Sequence, residues 1–404
     1  MTGEPTRTIP VIIAGAGPAG TVLGVLLTER GVPCVVLERA AFPRSKPCGE
    51  LLNPGAVCSL ARLGLLGAVL AQRPAQIRRW SIRADAPHAA VGRYSAEAPW
   101  GLGVPRNVLD ASLVSEARIR GLVIHERTTV RDVRRDGDHW VIDTRAEDGR
   151  PVQWRAGMLV GADGLRSVVA RRISAVRPVP ANKLSITCHV RGAGPDRGTG
   201  YLVRMRGRTV GVAPIHDGLP LWNVTVVVDT AEYAAAASHD RMQLFWTIFD
   251  ESGLSWNTLP AVVDGPWVSG GFRLPVSRPV MENALLVGDA AGYFDPFTGQ
   301  GVQQALRSAE LAAPVIDQAW RTRHDARRRL VRYAAALRRE RRSNGVFQRG
   351  VEFVMSRDTL RAPVIAALRG APAFADGVVQ VAGDHRSLPE LFGIGGIGHL
   401  GETR

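Results

Sequence analysis

The segment Gly15-Ala-Gly17-Pro-Ala-Gly20 constrains this chain more than any other, because of what surrounds it. The β-branched apolar run Thr8 to Ala14 precedes it, Pro18 to Arg30 has helical spacing and stops at Gly31, and Pro33 to Leu37 is a second apolar run. Strand, crossover helix and strand imply a parallel pair. Unbroken runs such as Val35-Val36-Leu37 suit strands buried on both faces, with helices on either side of the sheet. In that setting Gly15 permits a tight turn, Gly17 lets the backbone approach a pyrophosphate, and Gly20 lets the helix pack closely on the strand. The helix start at Pro18 and Ala19 offers free N–H groups and the positive end of the helix dipole to phosphates. Glu38 ends the second strand 18 residues past Gly20, where a carboxylate can accept hydrogen bonds from ribose hydroxyls. An acid there disfavours a 2′-phosphate, so the residues point to FAD or NAD and away from NADP in this cleft.

A chain of 404 residues has room for two to three domain-sized units at about 150 residues each. Its 45% hydrophobic and 22% charged content argues for a globular protein and against extended disorder. The net charge of +14 is almost all arginine, since lysine occurs only at Lys46 and Lys183. Such an excess suits an anionic ligand, a membrane surface or nucleic acid, but near-exclusive use of arginine reads better as coding bias. No nucleic-acid motif accompanies it, so no nucleic-acid partner is expected. The run Arg321 to Arg342 interleaves Leu330, Tyr333, Ala334 and Leu337 as in an amphipathic helix with a solvated face, and peripheral membrane contact through it is the alternative. Cys34, Cys48, Cys58 and Cys188 show no CxxC pair and no scaffold density, which fits a reducing, cytoplasmic location. The uncharged stretch Thr8 to Thr28 imitates a membrane span, but its prolines and glycines break it into strand, turn and helix.

Further strands are expected at Leu122 to Val133, Trp140 to Thr144 and Met158 to Gly161. Tyr201 to Met205, Thr209 to Pro214 and Trp222 to Val228, separated by Gly, Pro and Asp turns, read as an antiparallel sheet. The chain reads as helical from Ala231 to Glu251, as a buried strand at Ala284 to Gly288, and as mostly helical from Gly301 to Arg342. No internal repeat is visible. The nine histidines show no metal-ligand spacing and there is no GxSxG elbow, so no metal is expected and the chemistry falls to a cofactor.

Three later segments resemble those of FAD-dependent oxidoreductases of the glutathione-reductase-like class. Gly161-Ala-Asp163-Gly164-Leu-Arg166-Ser167 is similar to the Asp-Gly segment of the aromatic-hydroxylase flavoproteins, the group A monooxygenases. Gly288-Asp289-Ala-Ala-Gly292, followed by Pro296 and Gly299-Gln300-Gly301-Val302, is similar to their second FAD segment. Arg106, ahead of Leu109-Asp110, matches an arginine that lies along the flavin in such proteins. Lys46-Pro-Cys48-Gly49-Glu50-Leu-Leu-Asn-Pro54, and Gly292 where aromatic hydroxylases commonly carry His, resemble the geranylgeranyl-reductase-like branch. The resemblance implies a discontinuous Rossmann-like α/β FAD-binding domain (1–75, 100–175 and 276–345), an inserted antiparallel-sheet α+β substrate domain (76–99 and 176–275) and a helical C-terminal cap (346–404). It also implies cofactor contacts at Arg39, Lys46, Cys48, Gly49, Val130, Asp163, Gly164 and Asp289, with Cys48 as either a proton donor or a small wall residue.

The resemblance and the residues together imply an FAD-dependent monooxygenase, monomeric or homodimeric, that takes NADH or NADPH as reductant. Such an enzyme places one oxygen of O₂ on an apolar aromatic, phenolic or polyketide-like molecule of secondary metabolism. Tyr201, Val203, Val212, Pro214 and Trp222 are the candidate substrate lining. The rival is a C=C reductase of the geranylgeranyl-reductase type. A halogenase is disfavoured, because no Trp-x-Trp-x-Ile-Pro segment occurs and Arg78-Arg79-Trp80-Ser81-Ile82 offers arginine where a catalytic lysine is needed.

Overall fold

Strand Thr8–Ala14 lies at the centre of an eight-stranded sheet, parallel to Cys34–Leu37 on one side and Pro151–Gly161 on the other. Ile12 pairs with Val35 and with Leu159, and Ala284–Leu286 and Val123–His125 extend the parallel set outward. Ile12, Ile13, Leu159, Val160 and Leu285 are fully buried, as unbroken apolar runs with helices on both faces require. Helices Pro18–Glu29, Arg106–Ile119 and Gly301–Thr322 pack Leu23, Leu113 and Leu306 into that core. An antiparallel hairpin, Thr129–Asp136 with His139–Arg145, continues from the first half of Pro151–Gly161. The computed structural model describes residues 8–46, 48–84, 88–174, 176, 179, 183–236, 241–256, 260–293, 297–322 and 326–394.

The second sheet has seven strands in the order Ala261–Gly270, Lys183–Arg191, Leu221–Asp229, Arg208–Pro214, Thr199–Met205, Arg79–Ala84 and Ala90–Arg93. All pairs are antiparallel except Thr199–Met205 with Arg79–Ala84. One face carries Ile186, Val210, Trp222, Val224 and Val226 against Phe245, Ile248 and Phe249 of helix Arg241–Glu251. The other face looks toward the parallel sheet. Helices Ala326–Met355, Asp358–Gly370 and Pro372–Ala382 then close the side of this interval, with Met355, Ile365, Leu368 and Ala375 packed on Ala84 and Ala90. Among the described residues no single helix is long and apolar enough to cross a membrane.

Several elements depart from the reading of the sequence. The expected strand Leu122 to Val133 is two strands, Val123–His125 and Thr129–Asp136, interrupted at Arg127, whose φ of 54° no strand accommodates. The expected helix Ala231 to Glu251 is two helices, Thr230–Ala236 and Arg241–Glu251. Strand Ala261–Gly270 was not foreseen; it is an edge strand with most of its side chains exposed, so it lacks the apolar run that marks a buried strand.

Candidate functional site

The opening glycines occupy three different environments. Gly15 has φ +102° and its missing Cβ would lie 2.6 Å from the Ala162 carbonyl oxygen, while a Cβ on Gly20 would lie 1.9 Å from the Gly15 oxygen, so both positions demand glycine sterically. Gly17 differs: a Cβ there would find only the Arg44 guanidinium, at 3.9 Å. Its open side faces a cleft, and the helix it caps has no side-chain cap, so the leading N–H groups are available to an anion. Glu38, directly after strand Cys34–Leu37, is buried, accepting hydrogen bonds from the Ala16 N–H (2.8 Å) and the Ala40 N–H (3.0 Å). Arg44 stands beside it, its Nη1 3.2 Å from Asp110.

Lys46, Cys48, Gly49 and Glu50 form one wall of a cavity that continues from this cleft. Arg106 on the same wall is 4% exposed, with Nε and Nη2 donating to the two oxygens of Asp110 at 2.9 and 2.8 Å. Burial alone would lower the Arg106 guanidinium, but Asp110 and the Cys48 sulfur outweigh it and hold it above its ordinary value. Glu50, at φ 53°, accepts from the Arg106 N–H (3.1 Å) and bonds His189 Nε2 at 2.6 Å. That contact joins the cleft loop to strand Lys183–Arg191 of the second sheet.

Opposite, Asp289 sits in the 3₁₀ turn Gly288–Ala291 after strand Ala284–Leu286, with Lys46 Nζ 3.8 Å away. Arg341 braces this turn, donating to the Ala291 and Gly288 carbonyls at 2.6 and 3.0 Å, and Tyr333 donates to the Leu286 carbonyl at 2.6 Å. Gly299, Gly301 and Val302 line the cavity where helix Gly301–Thr322 begins. Gln300 between them does not. It is turned inward, its Nε2 donating to Asp384 Oδ1 at 2.6 Å and its Oε1 accepting from Gln348 and Thr298. Asp384 also accepts from Asn53 (2.8 Å) and Asn344 (3.0 Å), and its burial pushes the carboxyl up to about 7.

The cavity holds about 330 Å³ and runs from Gly17, Pro18 and Ala19 past Cys48 and Asp289 to the second sheet. Phe272, Phe347, Val351, Met355, Leu368 and Val378 supply apolar wall. The sheet supplies Ser185, Leu202, Arg204, Thr209, Ala213, Asn223, Thr225 and Val227. This corrects the expected lining. Val212 does touch the cavity, but Tyr201, Val203, Pro214 and Trp222 do not; Val203 and Trp222 point to the opposite face, into the core under helix Arg241–Glu251. Strand side chains alternate, so neighbouring positions 202, 204, 213 and 223 take the cavity side.

Other expected contacts fall elsewhere. Arg39 is exposed at a shallow surface depression with Arg127, Arg131 and Arg145, and Val130 packs against the parallel-sheet core. Asp163 turns from the cavity to accept from Ser167 Oγ and the Val168 and Val169 N–H groups, and its burial raises the carboxyl above its ordinary value; its neighbour Gly164 lines the cavity. Pro296 lies outside the described residues. Arg44, His189, Asn223, Arg341 and Asp384 were missed. Of these only Arg44, a cation two residues before Lys46, carried a local signal.

The geometry fits a flavin dinucleotide: an uncapped helix start and an open glycine for the diphosphate, carboxylates at Glu38 and Asp289 for sugar and ribityl hydroxyls, and an apolar-walled chamber between them and the second sheet. Residues 8–341 match the family model described as FAD binding domain. The chain is 28% identical over 333 residues to menaquinone reductase of Mycolicibacterium smegmatis, covering 76% of each chain. It is 28% identical over 359 residues to 3-amino-4-hydroxybenzoate 2-monooxygenase of Streptomyces platensis, covering 79% of this chain and 82% of that one. A crystal structure of a flavoprotein/dehydrogenase from Cytophaga hutchinsonii shares the fold with a TM-score of 0.79 at 19% identity, covering 93% of both chains.

Proposed function

The chain belongs to the FAD-binding-domain family, and on that premise we propose that it is a monooxygenase hydroxylating a small, largely apolar aromatic, phenolic or polyketide-like molecule of secondary metabolism. It is an FAD-dependent oxidoreductase, so the questions are the reaction and the substrate. The observation that carries the reading is the apolar-walled chamber running from the dinucleotide cleft to the second sheet. Oxygen transfer needs a reacting centre shielded from water, and Phe272, Phe347, Val351, Met355 and Leu368 provide that shield.

In this reading Gly17 and the N–H groups of the first helical turn would bind the diphosphate, Glu38 the adenosine ribose and Asp289 the ribityl chain. Gly299, Gly301 and Val302 line the cavity at the positive end of helix Gly301–Thr322 and would help hold the flavin ring there. Arg106, held by Asp110, keeps a fixed positive charge on the Cys48 wall. The chemistry that bound FAD supplies is acceptance of a hydride from NADH or NADPH and transfer of one oxygen atom of O₂ to the substrate. The chain's own part is to orient the substrate on the sheet wall and exclude water.

A second reading, reduction of a C=C bond, is supported by the similarity to menaquinone reductase and by Cys48 standing on the cavity wall, where a thiol can supply a proton. Oxygen consumption separates the two. With phenols and quinols as candidate substrates, oxygen uptake stimulated by one of them supports the monooxygenase. Uptake indifferent to every candidate, together with anaerobic turnover of a polyprenyl quinone, contradicts it.

A further inference from the structure

Asn223 is 2% exposed, lines the cavity, and its Oδ1 has no hydrogen-bond partner among the described residues. The rest of the side chain is held: Nδ2 donates to Thr225 Oγ1 at 3.2 Å, and that hydroxyl is 3.1 Å from Thr187 Oγ1 on the adjacent strand. A buried acceptor left unpaired is costly and uncommon in a folded protein. Nδ2 is the atom engaged by Thr225 Oγ1, so the amide atom left without a partner is the acceptor Oδ1.

The position of this atom along the sheet gives it meaning. Asn223 is the cross-strand partner of His189, so their Cα atoms are roughly 5 Å apart. His189 is the residue bonded to Glu50, directly after Cys48 and Gly49. Asn223 therefore lies at the end of the sheet wall nearest the dinucleotide cleft. The cations on the same wall lie toward the other end and have acceptors of their own: Lys183 donates to Glu352 at 2.9 Å, and Arg204 to Thr209 Oγ1 at 2.6 Å and to the Met355 carbonyl at 3.2 Å.

We infer that Asn223 determines specificity by accepting a hydrogen bond from a neutral hydroxyl or N–H group on an otherwise apolar substrate, orienting that group toward the flavin end of the chamber. The inference rests on the proposed monooxygenase reading and deepens it. A carboxylate at the same place would meet an acceptor oxygen instead of a donor, so the chamber selects a neutral donor such as a phenol over a benzoate-like anion.

The test uses the flavin-loaded full chain and two probes of nearly equal shape, 2-naphthol and 2-methoxynaphthalene, with dissociation constants read from perturbation of the flavin absorption spectrum. The wild type should bind the naphthol more tightly than the ether by about 5- to 150-fold, the penalty range for an unpaired buried acceptor. Asn223→Leu should abolish that preference and Asn223→Asp, which keeps the acceptor, should retain it. Should the leucine variant fail to fold, Asn223→Ser, too short to reach the ligand, should lose the preference likewise. Equal binding of both probes by the wild type overturns the inference and leaves the monooxygenase reading standing, since water would then satisfy Asn223. A preference surviving in the leucine or serine variant also overturns it. If neither probe perturbs the flavin, the chamber is not an aromatic site and both readings fall.

Discussion

Stability should fall as pH rises from about 4 to about 7, and Asp384 should be responsible. Its carboxylate is partly buried where the C-terminal segment meets the cavity floor, with Asn53, Gln300 and Asn344 donating to it and Glu340 as the nearby charge that raises it further. The adjacent His385 is lowered by its own burial, so it adds no positive charge at neutral pH. Burial moves Asp384 from an ordinary 3.8 to about 7. The unfolded chain therefore gives up this proton first as pH rises. The contribution is fully present below about 4, erodes through the interval, and is lost above about 7. Three pKa units correspond to on the order of 4 kcal/mol as an upper bound.

Asp384→Asn removes the titration but places an amide donor against the Asn53 Nδ2, and Asn53 cannot turn over because its Oδ1 caps the Ala56 N–H at 3.0 Å. One mispaired donor costs about 1–3 kcal/mol at every pH. Relative to the wild type, the variant should thus gain stability between pH 5 and pH 8, by up to about 3 kcal/mol. Urea unfolding of both proteins across that range measures the difference, in which every other titrating group cancels. Parallel wild-type and variant curves would refute the assignment.

The same geometry sets three further outcomes. Gly17→Val should give folded but colourless protein, because the valine fills the open side of the cleft without striking backbone; flavin content after purification, with an unchanged circular dichroism spectrum, checks it. Trp222→Ala, which empties a fully buried site under helix Arg241–Glu251, should cost about 3–5 kcal/mol in denaturant unfolding while the purified protein stays yellow. Glu50→Ala leaves His189 and the Arg106 N–H without their buried acceptor and should cost about 1–3 kcal/mol, seen as a lowered midpoint in thermal unfolding.

The parallel core and the dinucleotide cleft were legible because each is written locally: strand, glycine turn and helix lie within 30 residues, and the apolar runs are unbroken. The sheet wall was misread for a physical reason. Trp222 and Val203 look like pocket lining because they are large and apolar, yet that chemistry serves the core under helix Arg241–Glu251. The cavity side carries Ser185, Asn223 and Thr225, residues that resemble a solvated face until the C-terminal helices, more than 100 residues later, are seen to cover it. Asp384 and Arg341 have no local motif at all. Their partners Asn53 and Gly288 lie 331 and 53 residues away, and only the folded chain brings them together.

The most direct test of the central claim is turnover under isotopically labelled dioxygen, with the product analysed by mass. A monooxygenase should yield a product carrying one labelled oxygen atom, formed only when FAD and a reduced nicotinamide are both present. A product that has gained two hydrogens and no label would contradict the claim.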